Sequence, residues 1–111
     1  ALYTMNEGPH VLNDPEKRGR IFEAVVGVRL LQLPGNLYYW REKREEVDFV
    51  YSYQGQLYAV EVKSGRRKLS RGLNAFVEKF PKASPVIITP DNFGVFSENP
   101  RNFLDAVANQ Q

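Results

Sequence analysis

At 111 residues the chain is long enough to bury one hydrophobic core and too short for two independent ones, so a single domain over residues 1–111 with one site is the expectation. Apolar residues make up 42% and charged residues 25%, which argues against a disordered or fibrous chain, and the absence of cysteine excludes disulfides, thiol nucleophiles and cysteine-bound zinc. A formal charge of only +2 supplies little whole-molecule attraction for nucleic acid, so the distribution of charge must carry that argument. No apolar run approaches the roughly 20 residues that cross a bilayer, and Ala1-Leu2-Tyr3-Thr4 has no signal-peptide pattern; the expectation is a cytoplasmic protein with no membrane contact.

Residues 1–13 contain Gly8-Pro9 and no sustained period, so they read as an irregular leading segment of a domain that continues a longer chain upstream. Asn13-Asp14-Pro15 is a helix start, and Ile21, Phe22, Val25, Val26, Leu30 and Leu33 recur at helical spacing up to Pro34-Gly35. Leu37 to Arg41 is a short aromatic strand. After the charged turn Glu42 to Glu45 comes its antiparallel neighbour, Val47 to Tyr53, and after Gln54-Gly55-Gln56 a third strand, Leu57 to Lys63, stops at Ser64-Gly65. Ser70 caps a second helix with Leu73, Phe76, Val77 and Phe80 on one stripe, ended by Pro81. Pro85 to Thr89 suits a buried strand, and arrival through a helix lets it lie parallel to the third. Gly94 to Ser97 reads as a short edge strand, and Asn99-Pro100 opens a terminal helix with Phe103, Leu104 and Val107 inward. The predicted fold is α/β in the order α-β-β-β-α-β, with a central mixed sheet of at least four strands flanked by helices.

Strand residues two apart share a face, so Glu61 and Lys63 project together while Val60 and Val62 enter the other side. With Gly55 at the tip of the preceding turn, Asp48 faces Val62 and is a diagonal neighbour of Glu61; a one-residue bulge would set Asp48 opposite Glu61. Two such carboxylates repel each other unless a divalent ion neutralises them, which points to Mg²⁺ or Mn²⁺ on Asp48 and Glu61 with the Val62 carbonyl as a further ligand. Lys63 would steady the attacking water or the phosphate. Glu23 lies between Gly19 and Gly27 at i−4 and i+4, a smooth groove that lets this helix approach the sheet and extend the acid set. Lys63, Arg66, Arg67, Lys68 and Arg71 crowd one stretch with no acid among them, a surface for the backbone of nucleic acid.

Each of these residues has a plainer reading. Glu61 and Lys63 suit an ion pair on an edge strand, Asp48 a salt bridge to Arg41, Glu23 a solvated helix carboxylate, and the basic stretch a solvated loop. Trp40, Tyr38 and Tyr39 suit stacking on unpaired bases or, as strand aromatics usually do, a place in the core. His10 has no partner motif.

Glu23 on an early helix, Asp48 in Val47-Asp48-Phe49-Val50, and Glu61-Val62-Lys63 together resemble the restriction-endonuclease-like PD-(D/E)xK superfamily. More narrowly, Gly19-Arg20-Ile21-Phe22-Glu23, Tyr38-Tyr39-Trp40-Arg41, Glu46-Val47-Asp48-Phe49-Val50 and Val60-Glu61-Val62-Lys63-Ser64-Gly65 look like the C-terminal domain of a group of prokaryotic AAA-type ATPases, in consistent order over about residues 17 to 90. The resemblance implies a metal-dependent nuclease core that hydrolyses DNA with metal-activated water. Asp48 and Glu61 are then ligands, Lys63 the water-orienting base or electrostatic stabiliser and Glu23 an auxiliary acid. The superfamily's proline before the metal aspartate is replaced by Val47. No phosphate-binding glycine-rich loop is present, so an ATPase partner module is expected upstream. Besides the nuclease, a catalytically silent nucleic-acid-binding or regulatory module of such an ATPase and a structural homodimerisation domain stay open.

Overall fold

The structure, a computed structural model, describes residues 1–4, 20–63 and 71–110. Its elements run β1 (Leu2–Thr4), α1 (Arg20–Leu31), β2 (Asn36–Glu42), β3 (Glu45–Tyr53), β4 (Gln56–Val62), α2 (Arg71–Lys79), β5 (Ser84–Ile88), α3 (Pro90–Glu98) and α4 (Pro100–Asn109). One mixed sheet has the order β1-β2-β3-β4-β5, antiparallel throughout except that β5 lies parallel to β4. The α/β class, the flanking helices, the antiparallel meander and the parallel fourth partner are as the hydrophobic periods predict. The proposed start of the first helix at Asn13-Asp14-Pro15 and the Ser70 cap lie outside the described residues.

Two expectations need correction. Residues 2–4 are not irregular: they form β1, with Tyr3 paired to Tyr39 on β2, and pairing with the long β2 edge outweighs the weak local signal of three residues. Gly94 to Ser97 is helix, not an edge strand. Thr89 is the N-cap of α3: its hydroxyl accepts from the Asp91 amide, Asn92 returns a side-chain acceptor to the Thr89 amide, and Pro90 fits the first turn. That capping box commits the following residues to helix, and Phe93 and Phe96 then fall three apart on the inward side.

The sheet is covered on both faces. On one, Val26 and Leu30 of α1 and Leu104 of α4 meet Phe49, Tyr51, Tyr58, Val60, Val86 and Ile88; on the other, Leu73 and Phe76 of α2 meet Trp40, Val47, Val50 and Ala59. The free edge of β5 is blunted, since Pro85 offers no amide and the Ile87 carbonyl accepts from the Asn92 side chain. Phe76 is fully buried and sits edge-on to Trp40 at 5.3 Å and against Phe80 at 4.6 Å. Phe76→Ala is therefore expected to cost about 3–5 kcal/mol in urea unfolding; a loss below about 1 kcal/mol would mean that α2 is not seated as described.

Candidate metal centre

The site is set by the β3–β4 hairpin. Gln54 and Gly55 have φ of 51° and 81°, the paired positive values of a type I′ turn, whose twist matches the strands on either side. The loop is thus two residues, with Tyr53 paired to Gln56, and the ladder continues to Phe49 opposite Val60. One step further along that register stands Asp48 against Glu61, so the expected opposition of Asp48 and Val62 is replaced by the closer pairing, without any bulge in this hairpin.

The bulge is on the other side of β3. Tyr38 pairs with Val50 and Trp40 with Val47, leaving Asp48 and Phe49 together against the single residue Tyr39. The alternation breaks there: Val47 and Val50 both belong to the α2 side of the core, whereas Phe49 enters the α1 side. A bulge frees its residues from regular pairing, and Asp48 uses that freedom to accept the Val62 amide on Oδ2 at 2.9 Å. Its carboxylate therefore holds β4 one residue past Glu61, and the next amide, of Lys63, goes to the Ile88 carbonyl of β5.

Glu61 is buried at 9% exposure on an inner strand. Its Oε2 lies 3.5 Å from Lys63 Nζ, while Oε1 is buried with no hydrogen-bond partner among the described residues. The ion pair of the plainer reading is thus present but belongs to an inner strand, not a sheet edge. Burial, reinforced by the negative charge of Asp48 and, less strongly, of Glu23, and offset in part by Lys63, raises the Glu61 pKa to about 7. In EDTA the folded protein then binds a proton between about pH 4.5 and 7 that the unfolded chain has lost. Stability contributed by this group is complete below the unfolded value and lost as pH rises through the folded one. A span of this size corresponds to roughly 3 kcal/mol. Urea midpoints of the wild type should fall from pH 5 to 8.5 and those of Glu61→Gln should lose most of that slope; parallel profiles would refute the burial argument.

Glu23 lies in the first turn of α1, half-buried and close enough for its charge to be felt at Glu61. Arg71, the first residue of α2, is exposed and pairs with Glu45 at 2.9 Å, whereas Arg66, Arg67 and Lys68 lie outside the described residues. Arg41 pairs with Glu46 at 3.4 Å. Trp40 is core, and Tyr39 stacks on Tyr3 at 4.8 Å. Among the described residues no group of three or more His, Asp or Glu side chains is gathered tightly enough to hold an ion by itself. The donors at hand are the two carboxylates of Asp48 and Glu61. Phe49 was not singled out as part of the site, although its ring meets α1 beside Asp48; a run of apolar residues gives no sign of such a contact.

A family model described as a domain of unknown function, DUF4143, matches residues 18–104, and the chain belongs to that family. No curated protein and no solved structure matches the chain.

Proposed function

We propose that this DUF4143 domain is a divalent-metal-dependent nuclease that hydrolyses the phosphodiester bonds of DNA. The observation that carries the reading is Glu61: an inner-strand carboxylate with one buried oxygen lacking a partner among the described residues, beside Asp48, with an amine 3.5 Å from its other oxygen. A fold gains nothing by burying such a group unless something compensates it, and a divalent cation bound to oxygen donors does so. Mg²⁺ or Mn²⁺ fits this donor set, with Asp48 and Glu61 as its holders and the Val62 carbonyl as the third donor. When bound, the ion supplies Lewis-acid stabilisation of charge on the phosphate.

The chain's own residues supply the rest. Asp48 keeps Glu61 in place through the Val62 amide, because that hydrogen bond fixes β4 at the neighbouring residue. Lys63 is about one-third exposed at its side chain and faces the same side as Glu61, so its ammonium can orient a water or meet a phosphate oxygen. The resemblance of Glu23, Asp48 and Glu61-Val62-Lys63 to the PD-(D/E)xK pattern supports the same chemistry. The test is cleavage of plasmid and of single- and double-stranded oligonucleotides with Mg²⁺, Mn²⁺ or EDTA. Cleavage that needs the divalent ion is expected; none with either ion would reject the reading.

A second reading has its own observation. Ile21, Val25, Val28 and Leu31 of α1 are exposed at 75, 42, 41 and 40%, an apolar stripe on the side of the helix away from the sheet. That surface suits a protein contact, as expected of a silent regulatory or dimerisation module attached to an AAA-type ATPase. Salt-dependent DNA binding without cleavage under either ion would favour it.

A further inference from the structure

We propose that Gly27 sets the ion selectivity of the carboxylate pair by fixing how closely α1 seats on the β3 bulge. The proposal rests on the metal reading above and adds a positioning residue to it. A Cβ at Gly27 would stand 2.8 Å from Phe49 Cζ and 2.9 Å from Cε1, well inside the roughly 3.5–4.0 Å at which carbon atoms rest. The missing methyl is what lets the helix lie on that ring. Phe49 has little room to turn aside: it is fully buried among Val26, Leu30 and Val60.

The contact matters because of what flanks it on either side. Phe49 is one of the two bulge residues, and the other is Asp48. Glu23 stands one turn before Gly27 on the same helix, and its charge reaches Glu61. The Gly27–Phe49 contact therefore joins the element that carries Glu23 to the one that carries Asp48, while Asp48 is tied to the strand of Glu61 through the Val62 amide. A methyl at position 27 forces helix and bulge apart and loosens the acids together. Mg²⁺ demands near-ideal octahedral geometry at about 2.0–2.1 Å, whereas Ca²⁺ accepts flexible geometry at about 2.3–2.6 Å, so the loosened site penalises Mg²⁺ far more.

The test is titration calorimetry of the full chain with Mg²⁺ and with Ca²⁺, comparing wild type, Gly27→Ala and the double variant Gly27→Ala with Phe49→Leu. Gly27→Ala should lose roughly 10–100-fold in Mg²⁺ affinity with Ca²⁺ affinity nearly unchanged. Removing the ring end should return the ratio to that of the wild type. An unchanged Mg²⁺-to-Ca²⁺ ratio in folded Gly27→Ala, or equal loss of both ions, would overturn the positioning role alone. A wild type that binds neither ion would overturn the metal reading and this role with it. Should the single variant not fold, the double variant decides, since a Ca²⁺-shifted ratio there would show that selectivity does not depend on this contact.

Discussion

Lys63→Ala is expected to lower cleavage roughly 10²–10⁴-fold while leaving the fold intact. Lys63 is half-buried at the end of β4, with its amide held by the Ile88 carbonyl, so the backbone stays fixed when the side chain is cut. What goes is an ammonium on the face shared with Glu61. Because Lys63 offsets part of the rise in the Glu61 pKa, its removal pushes that pKa higher still, and the variant needs a more alkaline solution to ionise Glu61. Ion binding in the two proteins is therefore compared at pH 8.5. Single-turnover rates at that pH should differ by the full factor with Mn²⁺ saturating both. Equal rates would remove Lys63 from the chemistry.

Substitution of Asp48 separates two roles that one carboxylate performs. Asp48→Ala leaves the part-buried Val62 amide without its acceptor, a loss of about 1 kcal/mol in unfolding free energy. Asp48→Asn keeps an oxygen on the same geometry but removes the charge, and with it the repulsion that raises the Glu61 pKa. In EDTA at pH 7.5 the asparagine variant should be at least as stable as the wild type and the alanine variant clearly less so. Cleavage should fall in both by about 10³-fold, the equivalent of several kcal/mol of lost charge stabilisation. Full activity in Asp48→Asn would show that this residue only fastens the hairpin.

The mixed α/β class and the strands and helices from α1 to β5 were legible because their periods are strong: Leu73, Phe76 and Phe80 at helical spacing, and Pro85 to Ile88 as a short β-branched run between turns. The juxtaposition of Asp48 with Glu61 was legible only as one of two registers. Gln54 hid the correct one, since a type I′ turn usually carries Asn, Asp or Gly at that position and Gln gives no such signal. The bulge was not legible at all. Phe49, Val50 and Tyr51 are buried on an inner strand, so both faces are apolar and the alternation that would betray an extra residue is absent. The α3 helix was missed because Thr89 closes a β-branched run and was counted as strand, although Thr89-Pro90-Asp91-Asn92 holds both halves of a capping box.

The claim that Asp48 and Glu61 together hold a divalent cation is tested most directly by Mn²⁺ titration calorimetry at pH 7.5 on wild type, Asp48→Asn and Glu61→Gln. Both substitutions keep an oxygen at the position and remove only charge. One site in the wild type and none in either variant is the predicted result. Undiminished Mn²⁺ binding in Asp48→Asn would contradict it.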